Sequence, residues 1–514
     1  MHDFDLGIIG GGAAGLTAAS GAAQLGVKTL LLDAGPTLGG DCLHYGCVPS
    51  KTLLHTARVR HLMAHANDVG LPGTDLPPVD FSRVRERIAQ VIATIQQHDS
   101  VERFCKLGAQ VRFARPVFVD EHSVEIHTQD GHSERISAAR WLIATGSSPF
   151  VPDIPGLHTP GQDKAACLTN KEIFSLDSLP ESLVILGDGA IAVEMAQAFV
   201  RLGSRVDVVQ RGKQILSRED PDLTAQIQAA LEAEGVRFHL GATVDGVHSE
   251  GGLHEIHLHT EDGKQLIRSS HLLAAMGRTP NLEGLGLDAA GIPVAARGIQ
   301  VDSRLRTAQP HIYAAGDVTG QYQFTHAAGY EGGVVVTNAV FRLPRTVDYT
   351  WMPHCIYCDP ELAGAGLNET QAKAAGIEYK VHVEKFSDND RALAENSTRG
   401  YLKLLLDRKD KPLGVRILGP RAGDILSEWV AVQGGGVRLS SLASAVHPYP
   451  TLAEINKRAA GNIIAPKIFS GTVKKGLKFF FNYKGRACEY ESSPDATNAP
   501  EATSSQERPE TQKP

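Results

Sequence analysis

Two stretches of the chain repeat one hydrophobic plan. DFDLGIIGGGAAGLTAASGAAQLGVKTLLLDAG (residues 3–35) and ESLVILGDGAIAVEMAQAFVRLGSRVDVVQRG (residues 181–212) each open on a short apolar run and break at a glycine-rich turn. Each then continues with helical periodicity and closes on a second apolar run. Short apolar runs bounded by glycine read as buried strands, and the succession strand–turn–helix–strand reads as a βαβ nucleotide-binding unit. Two copies predict two dinucleotide sites.

Between the repeats, ARWLIATGSSPFVPDIPGL (139–157) runs from a strand into a Pro/Gly-rich connection, which places a domain boundary near residue 150. HLLAAMGRTPN (271–281) gives a similar strand-to-turn signal and closes the second unit. Past residue 345 the pattern changes. GYLKLLLD and PLGVRIL read as antiparallel strands, with helical stretches near 423–433 and 451–464, together an α+β domain. Residues 489–514 lack large aliphatic side chains and are rich in Glu, Ser, Pro and Thr, so disorder is expected there.

Composition narrows the classes. A chain of 514 residues has room for two or three domains. Its net charge of −7 argues against nucleic acid as a main partner. No apolar run reaches the ~18 residues that span a bilayer, and no basic, apolar leader precedes the first strand. Seven cysteines, an odd number, do not read as a secreted disulfide framework. A reducing cytoplasm is therefore expected, where a cysteine pair is more often catalytic or metal-binding than structural.

The chemistry concentrates in three places. Gly10, Gly12 and Gly15 form G-x-G-x-x-G between strand and helix, where backbone amides at a helix start cradle a pyrophosphate. Asp33 ends the second strand, where a carboxylate accepts ribose hydroxyls. Gly187 and Gly189 open the second fingerprint, with Ala192 third. There Gln210 and Arg211 stand where an acid would repel a 2′-phosphate, which favours NADPH over NADH; the plainer reading makes Arg211 a solvated charge and lets either nucleotide serve.

The third place is GGDCLHYGCVPSK (39–51), with Cys42 and Cys47 separated by four residues at a helix start. A thiolate is favoured there, and a thiol pair in disulfide reach stores two electrons. A zinc half-site or two inert buried thiols are the competing readings, but zinc usually takes a second ligand pair. No resident metal is expected.

These motifs, with ATGS at 144–147 and TAQPHIYAAGDV at 307–318, make the chain resemble the pyridine nucleotide–disulfide oxidoreductases, the family of lipoamide dehydrogenase, glutathione reductase and mercuric reductase. The resemblance runs from about Phe4 to about residue 465. It implies an α/β fold of two Rossmann-like domains, for FAD and NAD(P), plus a C-terminal α+β dimerisation domain. The FAD domain would take residues 1–150 and 279–347, the NAD(P) domain 151–278 and the dimerisation domain 348–470, followed by a basic-aromatic extension over 471–488. It also implies a homodimer.

By the same resemblance, Cys42 is the thiol that meets substrate and Cys47 is the charge-transfer thiolate against the flavin. Lys51 pairs with Glu194 beside the flavin, Asp317 binds the ribityl chain, and His326 and Ala327 lie near the isoalloxazine. Thr145, Gly146 and Gly277 join the cofactor-binding set.

The chain departs from the family at its C-terminal end. Disulfide reductases there carry His-Pro-Thr-x-x-Glu, supplied by the partner subunit; this chain has HPYPTLAE (447–454). Aligning Pro450, Thr451 and Glu454 puts Tyr449 in the histidine's place and His447 two residues upstream. A phenol with an ordinary pKa near ~10 is a poor base beside imidazole at ~6.5. Tyr449 resembles mercuric reductase, whose Hg(II) substrate needs thiolate ligands, here Cys42 and Cys47, more than a proton shuttle. Mercuric reductases also carry a C-terminal Cys-Cys pair, whereas this chain has Cys488 alone.

The expected reaction is therefore reduction of Hg(II). The alternative is a lipoamide or small-disulfide reductase using His447 or Tyr449 as acid. A reading from another class is a membrane-associated flavoprotein electron donor or redox sensor, docked through the Lys- and Phe-rich residues 471–486. Cys355 and Cys358 form C-x-x-C, which could bind metal or act as a second redox pair; the plainer reading is packed thiols, since on one strand they would point to opposite faces. Cys105 and Cys167 are expected to be buried and inert.

Overall fold

The structure is a computed structural model that describes residues 2–127, 133–157, 167–485 and 487. By compactness the chain divides into two units, residues 1–461 and 462–514. The sequence expectations for Cys488 and for residues 489–514 lie outside the described residues.

Both predicted βαβ units are present. In the first, strands Phe4–Ile9 and Thr29–Asp33 flank helix Ala13–Gln24. They pair in parallel, Leu6 opposite Thr29 and Ile9 opposite Leu32. Ala109–Phe113, Ser133–Ile143 and Ile312–Ala314 extend the same sheet in parallel. Ser123–His127 and Arg115–Phe118 add an antiparallel flap. Leu6, Ile8, Leu30, Leu31 and Trp141 are fully or almost fully buried, so both faces of the sheet are covered, as its unbroken apolar strands require.

In the second unit, Ser182–Leu186 and Arg205–Gln210 flank helix Ala190–Leu202. Parallel pairing gives the order Arg237–Leu240, Arg205–Gln210, Ser182–Leu186, His271–Ala274. A three-stranded antiparallel sheet, Thr243–Glu250, Leu253–Thr260 and Gly263–Ser269, accompanies it. Where the chain enters and leaves this region, Ser147–Pro149 and Arg278–Pro280 pair antiparallel, so the two crossings are tied together.

The C-terminal strands form a five-stranded antiparallel sheet in the order His354–Ile356, Glu361–Gly366, Pro412–Gly419, Tyr401–Leu406, Lys380–Lys385. Helix Ala422–Gly434 packs on it, and Glu454–Ile468 follows, close to the two helical stretches read from the pattern. An ion cluster around the buried Lys403 ties this sheet to the second nucleotide-binding region. Lys403, 2% exposed at its side chain, lies within 3.0 Å of carboxylate oxygens of Asp220, Asp222 and Glu369. Those three carboxylates would otherwise suit a cation; here the ammonium takes that place, as a buried charge requires.

Among the described residues, no helix is long and apolar enough to cross a membrane.

Candidate active site

Cys42 lies in the short helix Gly40–His44, and Cys47 is the first residue of helix Cys47–Ala64, whose cap Gly46 offers no side-chain bond. Only Cys47 therefore meets the unpaired amides and positive end of a long helix. Both are free thiols. A hydrogen bond from the Cys42 thiol is the largest influence on Cys47, which is lowered to about 6 against the burial that opposes it. The same bond, with burial, pushes Cys42 up. The Thr325 hydroxyl, 3.4 Å from Cys47 Sγ, and the Lys51 charge add to the lowering. At neutral pH the reduced pair thus carries one thiolate, on Cys47, and one proton, on Cys42.

One turn along the same helix, Lys51 Nζ reaches Glu194 Oε2 at 2.7 Å. Glu194 is buried on helix Ala190–Leu202, and its other oxygen accepts the Tyr357 amide at 3.0 Å. The Lys51 ammonium also sits 4.4 Å from the centre of the Tyr357 ring. The ion pair joins the thiol-bearing helix to the second nucleotide fingerprint.

The two glycine turns have matching geometry. Gly10 at φ +113° and Gly187 at φ +131° adopt backbone that only glycine takes easily, and a Cβ on either would lie 2.2 Å from a carbonyl oxygen, of Ala144 or Ala275. Gly12 and Gly189 precede their helices with no side-chain cap, and a Cβ on either would meet nothing within 4 Å. The first amides of each helix therefore face open space, as a pyrophosphate site requires. Gly15, on the first helix, packs against the Gly10 carbonyl. These cradles fit FAD and a nicotinamide nucleotide.

Other predicted positions surround them. The Asp33 carboxylate accepts the Gly11 and Gly35 amides at 2.5 and 2.6 Å, bracing the first turn. Gln210 ends its strand half-buried, and Arg211 follows it exposed. Asp317 accepts the Ser147 hydroxyl at 2.5 Å, and burial raises its pKa. The Thr145 hydroxyl donates to the Asn281 carbonyl at 2.8 Å, while Gly146 and Gly277 turn with positive φ. His326 and Ala327 follow Thr325 on helix Thr325–Ala339; the His326 ring lies 2.8 Å from the Pro353 carbonyl and Ala327 is buried.

The C-terminal candidates stand apart from the thiols. Tyr449 is 71% exposed, and its hydroxyl donates to Asp390 at 2.8 Å, a bond that raises its pKa. His447 Nε2 lies 2.9 Å from Glu428 Oε1. Glu454 accepts the Thr451 amide at 3.2 Å. Among the described residues, none of the three hydrogen-bonds to Cys42 or Cys47 within the chain.

Several partners escaped the sequence reading. Thr325, Asp390 and Glu428 are far in sequence from the groups they touch. Asp41, the neighbour of Cys42, binds Arg278 at 3.0 Å and the Asn170 amide group at 3.1 and 3.3 Å.

Two expectations need correction. Cys105 is exposed, because it falls on the outer face of the short helix Val101–Lys106, and Cys167 is half-buried, its thiol pushed up to about 11 by burial. Cys355 and Cys358 do not share a strand. His354–Ile356 ends before Cys358, which turns inward, fully buried, and donates to the Pro360 carbonyl at 3.1 Å.

Comparison with known proteins agrees with this geometry. The pyridine nucleotide-disulphide oxidoreductase family matches residues 4–332, and the dimerisation domain of the same family matches residues 352–460. Mercuric reductase of Streptomyces lividans is 36% identical over 460 residues, covering 89% of this chain and 95% of that one. Dihydrolipoamide dehydrogenase of Chaetomium thermophilum is 34% identical over 469 residues, 89% of this chain and 90% of that one. Among solved structures, the Cu(II) complex of the HOCl-induced flavoprotein disulfide reductase RclA from Escherichia coli superposes with a TM-score of 0.79 at 28% identity, over 90% of this chain and all of that one. The chain therefore belongs to the pyridine nucleotide-disulphide oxidoreductases, as an FAD-dependent enzyme that draws electrons from NAD(P)H and carries the family's dimerisation domain.

Proposed function

We propose that the chain reduces Hg(II) to Hg(0) at the Cys42–Cys47 pair, in the cytoplasm, as a homodimer whose domains follow the boundaries read from the sequence. The observation that carries this is the division of labour at the sulfurs. Cys47 is held as a thiolate near neutrality, whereas Tyr449 is a phenol tied to Asp390 and poorly suited to move protons.

A soft dication is a natural ligand for two thiolates, and its charge displaces the remaining Cys42 proton. Two electrons then leave the sulfurs as an S–S bond forms between Cys42 and Cys47, and Hg(0) departs uncharged. NADPH, favoured by Arg211 in place of an acid, supplies two electrons and a proton that return the disulfide to the dithiol. FAD would be held at the Gly10–Gly15 turn and beside Lys51, Asp317 and His326, and would supply the two-electron exchange between nicotinamide and sulfur. Lys51, fixed by Glu194, places positive charge beside that exchange. No step of the metal reaction needs a base at residue 449.

A second reading, reduction of lipoamide or another small disulfide, is favoured by the His447–Glu428 pair at 2.9 Å, an imidazole with its orienting carboxylate. NADPH oxidation measured in parallel with Hg(II), lipoamide and glutathione disulfide separates the two. Fast turnover of lipoamide with Hg(II) only inhibiting would overturn the metal assignment.

A further inference from the structure

Residues 462–488, the first part of the second compact unit, carry a charge pattern opposite to the rest of the protein. In a chain of net charge −7, residues 462–488 hold no carboxylate and six cations: Lys467, Lys474, Lys475, Lys478, Lys484 and Arg486. Both family matches end at or before residue 460, so this stretch follows the dimerisation domain and is not part of the shared catalytic body.

Within it, Ser470 caps helix Gly471–Phe481 through the Val473 amide. At 100° per residue, Val473, Leu477 and Phe480 fall on one face, with Phe481 beside them, and Lys474, Lys475 and Lys478 gather opposite. Among the described residues the apolar side is exposed. Phe480 is 77% exposed, Phe481 63%, and Tyr483, just past the helix, 59%. Phe479 is exposed as well, at 82%, packed edge-on against Phe480.

We propose that helix Gly471–Phe481 docks the enzyme on an anionic lipid surface, lying in the plane of the headgroups. Three features select lipid over a protein face. The helix is amphipathic, with large aromatic side chains that suit the boundary between headgroups and acyl chains. The lysines lie on the opposite side with long apolar stems, so their ammonium groups can bend back to the phosphates while the rings sink. The stretch excludes acids entirely, which matches a uniformly negative surface and not the mixed-sign patches of a folded partner. At about 16 Å long, the helix is far too short to span a bilayer. Docking leaves the thiol chemistry unchanged and confines it to the membrane surface.

The test uses the full-length, FAD-loaded enzyme with two sets of vesicles, phosphatidylcholine alone and phosphatidylcholine containing phosphatidylglycerol. Co-sedimentation is expected only with the anionic vesicles and is expected to fade between about 0.1 M and 1 M salt. The variant K474Q/K475Q/K478Q should bind anionic vesicles on the order of 100-fold more weakly, from the loss of three surface cations. F480S/F481S should also lose binding, and both variants should keep the flavin spectrum and NADPH-dependent turnover. Binding to neutral vesicles equal to that on anionic ones would overturn the proposal, as would no binding to either. So would dissociation of the dimer in F480S/F481S, since the aromatic face would then be covered by a second copy.

Discussion

The Asp41 carboxylate, one residue before Cys42, holds the Arg278 guanidinium at 3.0 Å. The same carboxylate accepts from Asn170. Asn170 stands ahead of the second nucleotide-binding sheet and Arg278 just behind it, so one side chain beside the redox sulfur grips both connections to that sheet. Arg278 also donates to the Ser147 hydroxyl at 2.7 Å, which in turn donates to Asp317. The residue beside Cys42, the chain crossings and the proposed ribityl contact therefore form one polar network.

Asp41→Ala should loosen this network without touching a sulfur. Among the described residues, Arg278, 14% exposed at its side chain, then keeps only Asp317 at 3.6 Å as a carboxylate partner. Reduction of the enzyme by NADPH should slow by roughly 10-fold, because a small misplacement of the reacting groups costs rate steeply. Reoxidation of the pre-reduced dithiol by substrate should change little. Stopped-flow measurement of the two half-reactions decides this; equal slowing of both would assign Asp41 a role at the sulfur itself.

The thiolate on Cys47 depends first on the hydrogen bond from Cys42. In the reduced enzyme one sulfur should titrate near pH 6, while Cys42 stays protonated well above neutrality. Removing the donor with Cys42→Ala removes the largest lowering influence, so the Cys47 midpoint should move upward, toward the ordinary thiol value. The pH dependence of alkylation by iodoacetamide reads this directly. A midpoint unchanged in Cys42→Ala would give the lowering to Lys51 and the helix end instead.

Lys51→Met leaves the Glu194 carboxylate buried with, among the described residues, the Tyr357 amide as its remaining partner. An unpaired buried carboxylate is costly, and the loss here is moderated because the Lys51 side chain is 36% exposed; about 1–2 kcal/mol of stability is expected. The double variant Lys51→Met/Glu194→Gln should recover part of that stability and none of the activity, if the lysine charge serves the electron transfer. Denaturant midpoints beside NADPH-dependent turnover separate the two roles.

Much of this site is legible along the chain because its physics is local. Gly10 and Gly187 announce their turns through neighbouring strand and helix patterns, and Cys42 and Cys47 stand out through their spacing at a helix start. Lys51 and Glu194 needed the family resemblance, since nothing local marks a pair 143 residues apart. Thr325 beside Cys47, Glu428 beside His447 and Asp390 beside Tyr449 could not be read at all. Each is an ordinary polar residue on an ordinary helix, and only the tertiary fold brings it to its partner. The strand limit at Ile356 was missed for a related reason. The C-x-x-C spacing looks continuous, but the chain turns between Ile356 and Asp359, so only Cys355 stays in the strand.

Tyr449 gives the sharpest discrimination between metal and disulfide substrates. Its hydroxyl donates to Asp390, and that negative acceptor raises the phenol's pKa further from neutrality. Tyr449→Phe removes the hydroxyl yet leaves the ring, so Hg(II) turnover should stay within roughly threefold if no proton moves through this position. Tyr449→His places an imidazole where disulfide reductases of the family keep theirs. Lipoamide turnover should then rise by about 10²-fold, the usual worth of a positioned general acid–base, while Hg(II) turnover stays flat. If Tyr449→Phe instead abolished Hg(II) reduction with the dimer and flavin content intact, the phenol would be a participant in metal handling. If lipoamide turnover were already fast in the unaltered enzyme and fell in His447→Ala, the His447–Glu428 pair would be the acid–base and the disulfide reading would prevail.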